Sequence, residues 1–209
     1  MKNKKMNFLS DIQGNKYTSK NPIAHKLLNN FFGTIAYLLS LTDTSKVQTM
    51  TECGCGKGQV TQFISKSIQL NQINSFDISE SDLAISQVNN VNESINFYKK
   101  SIYDISENEK ADLIVCCEVL EHLEFPEKAL LKMSELKGEY YLFSVPNEPI
   151  WRVMNFLRGK YVKDWGNTPD HVNHWSTNAF KKIVSQYFDI IEVRKPLPWT
   201  MILAKSKHI

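Results

Sequence analysis

The sequence predicts an α/β fold, a parallel sheet with helices packed on both faces. Three observations predict it. Short apolar runs alternate with amphipathic stretches along most of the chain. The glycine run Gly54-Cys55-Gly56-Lys57-Gly58 lies between a strand-like and a helix-like segment, where an open α/β sheet holds a nucleotide. Residues 111–117 become continuously apolar after Asp112, as a central strand buried on both faces requires.

Length and composition set the frame. At 209 residues the chain suits one α/β domain with a full core. Hydrophobic residues make up 42% and charged residues 22%, ordinary values for a water-exposed globular chain. A formal net charge of +3 does not demand a nucleic-acid partner. The start, Met1-Lys2-Asn3-Lys4-Lys5, lacks the apolar core of a signal peptide. The longest apolar stretch, 31–41, is too short and too interrupted to span a bilayer. No membrane span and a cytoplasmic location are therefore expected. Four cysteines, Cys53, Cys55, Cys116 and Cys117, match no common zinc spacing. They are read as reduced, small hydrophobes, and no metal centre is expected.

The elements follow in order. Residues 1–21 are polar and without pattern. Asn21-Pro22 reads as a helix start, with a cap followed by proline at the first helical position. Ile23, Leu27, Phe31, Ile35 and Leu39 then recur every fourth residue, giving an amphipathic helix that packs on a core. Residues 47–51 read as the first strand. Residues 59–70 read as a helix with Val60, Phe63, Ile64 and Ile68 on one face. Strand 72–76 ends at Asp77, helix 81–90 follows, and strand 95–98 comes next. After the apolar strand come a helix over 126–136, with Gly138 as its expected stop, and a strand over 140–145. Helix 177–187 and strands 189–193 and 199–204 complete the alternation, which implies parallel pairing with right-handed crossovers.

The glycine run excludes two common nucleotide loops. The dinucleotide fingerprint needs glycine at its sixth position, which from Gly54 is Gln59. The phosphate-binding loop needs Gly-Lys-Ser/Thr, which is absent. Here glycines stand at every second position and Glu52 precedes the first by two. A carboxylate there repels a pyrophosphate and suits a cationic ligand. S-adenosylmethionine carries an ammonium and a sulfonium and no phosphate. Asp77 follows the loop by roughly twenty residues, where such sheets place a carboxylate on ribose hydroxyls.

Glu52-Cys53-Gly54-Cys55-Gly56-Lys57-Gly58 resembles motif I of the class I methyltransferases. The run from Asp112 to Leu123, ending Leu120-Glu121-His122, resembles the fourth-strand motif of their small-molecule, ubiquinone-biosynthesis-like (methyltransferase type 11) group. Ser144-Val145-Pro146-Asn147 and His171-Val172-Asn173-His174-Trp175-Ser176 resemble the same group. The resemblance covers residues 45–209, with 1–44 as an N-terminal extension and helix. It implies a Rossmann-like seven-stranded sheet in the order 3-2-1-4-5-7-6, the last strand antiparallel, and S-adenosylmethionine as cofactor. Carried over by position, Glu52 stands near the methionine end, and Gly54, Cys55, Gly56 and Gly58 form the turn. Asp77 holds the ribose, Ile78 covers the adenine, and Glu118 and Val119 line the cleft. Ser101, with Ile102 beside it, occupies the place of the acid that meets the adenine amine, and Asp104 is the reserve. The Asn/Asp-Pro-Pro-aromatic motif of amino-methylating enzymes and the Pro-Cys nucleophile of cytosine-C5 enzymes are both absent, so DNA is not an expected partner.

Methyl transfer from a sulfonium is an in-line displacement that needs orientation and exclusion of water. A hydroxyl acceptor also needs a base, and His122, His171 and His174 are the candidates. Each could equally be a structural histidine. The i, i+3 pair His171 and His174 has no obvious third metal ligand. Residues 148–175 read as an insertion over the carboxyl ends of the strands, a lid on the acceptor site or a plain packing helix and loop. Asn147, Trp151, Arg152 and Tyr17 are the candidate acceptor contacts. The reading is a methyltransferase for a small or carrier-linked acceptor, at oxygen. RNA or protein methylation, a non-catalytic cofactor-binding protein and an NAD oxidoreductase are the rivals; the oligomeric state is open.

Overall fold

The sheet is built outward from β1 (Thr49–Cys53), whose last four residues are buried. The computed structural model describes residues 22–90, 92–157 and 171–207. β1 pairs in parallel with β2 (Gln72–Asp77) on one side and β4 (Leu113–Cys117) on the other. β3 (Ile95–Lys99) lies beyond β2 and β5 (Tyr140–Pro146) beyond β4, both parallel. β7 (Trp199–Ser206) runs antiparallel between β5 and the edge strand β6 (Phe188–Arg194). The order is β3-β2-β1-β4-β5-β7-β6, the seven-stranded order the resemblance implied.

The helices are α1 (Pro22–Leu39), α2 (Gln59–Ser67), α3 (Glu80–Asn89), α4 (Pro126–Glu135), α5 (Glu148–Leu157) and α6 (Thr177–Tyr187). Successive side chains of a strand point to opposite faces, so the apolar run of β4 serves two cores. Leu113, Val115 and Cys117 join the core with α1 and α2. Ile114 and Cys116 join the core with α4 and α6. Phe32 of α1 and Phe63 of α2 meet at 4.8 Å between ring centres, and both are buried. Truncating such a ring to alanine costs about 3–5 kcal/mol.

Four expectations shift. β1 starts and ends two residues later than 47–51, because Glu52 and Cys53 still pair with Ser75 and Phe76. The chain turns only at Gly54, the first of three glycines with positive φ. α2 stops at Ser67, not at residue 70, and Ile68 is its extended C-cap. Ile23 does not join the core: it is 67% exposed, and the buried stripe of α1 begins at Phe31. Gly138 does not supply the left-handed residue after α4, since Lys137 does, at φ 51°. Glycine is needed at 138 for space: a Cβ would lie 2.9 Å from the Ala111 carbonyl oxygen. Asn21 lies outside the described residues.

All five parallel strands end at one edge of the sheet. β7 enters from that same edge, so Trp199 stands level with Pro146.

Candidate cofactor cleft and acceptor-side cluster

The turn after β1 is bound to β2. The N–H groups of Gly54 and Cys55 both donate to the Phe76 carbonyl, at 2.8 and 3.0 Å. Gly54 sits at φ 75°, and a Cβ there would lie 2.4 Å from Cγ2 of Val119. Only glycine satisfies both conditions. The contact brings the glycine turn against the end of β4, where the sequence placed the cofactor cleft. Gly58 opens α2 in the left-handed conformation, backed by Asn90 and Ser86 of α3 and its cap. Cys55 turns inward with Leu83 and Phe97, and burial raises its thiol well above the ordinary range.

Asp77 closes the turn from β2. Its Oδ2 accepts the Gly56 N–H at 2.8 Å and its Oδ1 accepts the Ser79 N–H at 2.9 Å. The cap of α3 is Ser79, whose hydroxyl accepts the Asp82 N–H at 3.3 Å. Asp77 is therefore spent on the loop and not on the helix. Ile78 stands exposed beside it. Ser101 caps a short 3₁₀ turn, Ile102–Asp104, by accepting the Tyr103 N–H. Ile102 is buried in the core and Asp104 is exposed.

Glu52 is 2% exposed and its carboxylate accepts the hydroxyl of Thr61 on α2. Burial raises its pKa from 4.5 to about 7; the Thr61 bond works against that shift and the charge of Asp77 adds to it. Thr61 had no signal in the sequence beyond its place on α2.

At the end of β4 the backbone bends at Glu118, a non-glycine residue with φ 60°. Such conformations persist where neighbours hold them. Glu118 donates its N–H to the Ser144 carbonyl at 3.0 Å. Its carboxylate accepts the Ser144 hydroxyl at 2.7 Å and the Trp199 indole N–H at 2.6 Å. Sequence reasoning named Glu118 and Val119 but missed Trp199, which is 81 positions away.

The histidines gather just beyond. Val172 and Asn173 donate their N–H groups to the Glu121 carbonyl, at 2.9 and 3.0 Å. The Asn173 amide also donates to the Leu120 and Leu123 carbonyls. These bonds fasten residues 172–173 onto the turn after β4. The rings of His122 and His171 come to lie 5.1 Å apart, edge to face. Nδ1 of His171 is 2.5 Å from Oε1 of Glu148, and Nδ1 of His174 is 3.5 Å from the same oxygen. Glu121 is 1% exposed and its Oε2 has no hydrogen bond among the described residues. Burial, with the charges of Glu118 and Glu148, raises its pKa well above the carboxylate range.

Among the candidate acceptor contacts, Asn147 is buried and donates its amide to Thr177 at 3.2 Å, so it ties β5 to α6. Trp151 lies between His171 and Trp199, 6.2 and 6.1 Å from their ring centres. Arg152 is exposed on α5. Tyr17 and the loop 160–169 lie outside the described residues.

The cleft thus offers a glycine turn, the carboxylate of Asp77 and, beside it, imidazoles. Spacing offered His171 and His174 no third metal ligand, but the fold joins His171 to a different pair. One donor atom each from Glu121, His122 and His171 lie within 4.8 Å of one another. Nitrogen and carboxylate donors at that spread suit a divalent ion with open positions.

Comparison with known proteins agrees with this geometry. A family model described as a methyltransferase domain matches residues 24–192. The ubiquinone biosynthesis O-methyltransferase of Rickettsia bellii is 22% identical over 156 residues, 72% of this chain and 65% of that protein. The mitochondrial ubiquinone biosynthesis O-methyltransferase of Candida albicans is 25% identical over 122 residues, 54% of this chain and 37% of that protein. The chain thus spans less than two thirds of either relative. Among solved structures, the N-methyltransferase NodS of Bradyrhizobium japonicum, in complex with S-adenosylhomocysteine, superposes with a TM-score of 0.67. It shares 17% identity over 96% of this chain and 97% of that one, a likeness of fold. With most of its length matched by the family model and its strands in the order expected of the class I methyltransferase fold, the chain belongs to the methyltransferase-domain family.

Proposed function

We propose that this chain transfers the methyl group of S-adenosylmethionine to a hydroxyl oxygen of a small or carrier-linked acceptor. The observation that carries the reading is the His122–His171 pair beside Glu121, at the carboxyl end of β4 next to the Gly54–Val119 contact. The activity for which the two relatives are named, O-methylation, supports it. So does the absence of the two nucleobase-methylation motifs. In this reading residues 45–209 are the catalytic domain, and 148–157 and 171–175 stand on the acceptor side. Gly54, Gly56 and Gly58 would hold the cofactor, Asp77 would take its ribose, and Ile78 with Ser101 and Ile102 would meet its adenine. Four free, buried cysteines suit a cytoplasmic location. No helix among the described residues is long and apolar enough to cross a membrane.

The reaction needs few steps. A lone pair of the acceptor oxygen attacks the methyl carbon in line with the sulfur. The carbon–sulfur bond breaks, its electron pair stays on sulfur, and S-adenosylhomocysteine leaves. The hydroxyl proton passes to a histidine, His171 or His122, by general base catalysis. A second reading rests on the buried, unpartnered oxygen of Glu121 and the donor trio it belongs to. A divalent cation bound there would acidify a coordinated hydroxyl. His122, His171 and Glu121 would then hold the ion, and Trp151 would exclude water from it.

The test is transfer from tritiated S-adenosylmethionine to a panel of phenolic and alcoholic small molecules, with short RNA and a protein extract as parallel arms. Labelled O-methyl ether with matching S-adenosylhomocysteine is expected. Each arm runs with EDTA and with added manganese, and loss of turnover in EDTA selects the second reading. Label entering only RNA or protein would overturn the acceptor class. Calorimetry that detects neither S-adenosylmethionine nor S-adenosylhomocysteine binding would overturn the cofactor as well.

A further inference from the structure

We propose that Glu148 is a positioning residue that keeps the proton of His171 on Nδ1, and so leaves the Nε2 lone pair as the working atom of the cluster. The proposal rests on the methyltransferase reading only for what that lone pair then does, as base or as metal ligand.

Glu148 is the first residue of α5, directly after the end of β5. Its N–H donates to the Trp175 carbonyl at 3.1 Å, which ties the start of α5 to the histidine segment. Its side chain is 4% exposed. Oε1 lies 2.5 Å from Nδ1 of His171, and Oε2 is buried without a hydrogen bond among the described residues. An ionised carboxylate only accepts, so the ring atom facing it must carry hydrogen. A neutral imidazole has one N–H, and the other nitrogen keeps its lone pair. The hydrogen bond at one nitrogen thereby selects the chemistry of the other.

The surrounding bonds show why a carboxylate is needed. Backbone bonds from Val172 and Asn173 to Glu121 place the segment, but they do not choose a ring nitrogen. The Trp151 ring stacks at 6.2 Å and the His122 ring meets an edge at 5.1 Å, which restricts rotation. Glu148 marks one ring nitrogen, with Oε1 2.5 Å from Nδ1. The same oxygen is 3.5 Å from His174, beyond a good hydrogen bond, and the His174 side chain is 35% exposed against 6% for His171. The geometry therefore ranks His171 above His174, which the sequence left equal.

The experiment is nitrogen-15 NMR of the whole chain with labelled histidine, at pH 8.5, with the His171 signals assigned through H171Q. The expected spectrum has His171 protonated on Nδ1 alone. In E148A the proton should move to Nε2 in most molecules. In E148Q, whose carboxamide oxygen still accepts, the Nδ1–H form should persist. S-adenosylhomocysteine affinity should stay within about threefold in both variants. A wild-type His171 that carries its proton on Nε2, or on both nitrogens, overturns the proposal even if E148A fails to fold. So does an E148A spectrum identical to wild type. Failure of the wild-type chain to bind S-adenosylhomocysteine would instead overturn the methyltransferase reading, and the tautomer result would stand apart from it.

Discussion

The carboxylate of Asp77 accepts the backbone N–H of Gly56 at 2.8 Å. The ribose candidate is therefore also the clasp of the glycine turn. With its two oxygens on Gly56 and Ser79, each keeps a lone pair for a ribose hydroxyl. Asp77→Ala should lower S-adenosylhomocysteine affinity by about 1.5–3 kcal/mol, the range for hydrogen bonds to a charged group. Asp77→Asn keeps an acceptor and should lose less. Calorimetry measures both, and an unchanged dissociation constant in Asp77→Ala would refute the ribose role.

Gly54 and Val119 make a second clasp, between the glycine turn and the end of β4. Gly54→Ala should destabilise the fold by about 2–4 kcal/mol, from the left-handed backbone and the overpacked contact together. Val119→Ala in the same chain removes the obstructing methyls. Urea unfolding of the single and double variants should therefore give a favourable coupling of at least about 1 kcal/mol. Strict additivity would mean that the clash is relieved elsewhere.

Some of this could be read from residue order because local patterns carry it. The run of β4 is apolar on both faces since two helix layers cover it, and that shows as five apolar residues in succession. The glycine turn and the acid after β2 are local to their strand ends. Other relationships are not local. Glu148 and His171 are 23 positions apart, and no periodicity links an acid opening a helix to a histidine after a long connection. Glu118 and Trp199 meet only because β7 is antiparallel and enters at the edge where β4 ends. Glu52 follows the expected strand 47–51 by one residue. Two more strand residues put it inside, against Thr61, where its charge is costly.

That burial has a consequence for pH. Glu52 has a folded pKa of about 7 against an ordinary 4.5. The folded state then binds the proton more tightly than the unfolded chain. The resulting stability is fully present below about pH 4.5 and is lost as pH rises through 7. Between pH 5 and 8 the ligand-free protein should lose roughly 2.5 kcal/mol from this group. Glu52→Gln keeps the acceptor for Thr61 and removes the titration. Wild-type stability relative to Glu52→Gln in chemical denaturation should fall by that amount across the range. A constant difference would show that Glu52 titrates normally.

The last prediction separates the acceptor side from the cofactor side. Trp151 and His171 belong to the segment that follows β5, and their rings stack on each other. Trp151 is wedged between His171 and Trp199, so its loss opens the histidine pair to water and loosens His171. Trp151→Ala and His171→Ala should leave S-adenosylhomocysteine affinity within about threefold, under roughly 0.7 kcal/mol. Turnover of whichever acceptor the tritium panel identifies should fall at least about tenfold, the low end for removing a base or an orienting contact. His174→Ala should cost less than His171→Ala, because Glu148 sits 2.5 Å from one ring and 3.5 Å from the other. Arg152, exposed on α5, should matter only for an acceptor with an anionic group, and then through KM before kcat. If Trp151→Ala and His171→Ala instead abolished cofactor binding and kept turnover at saturating cofactor, the segment would belong to the cofactor site. The acceptor contacts would then have to be sought among other residues, with Tyr17 the next to substitute.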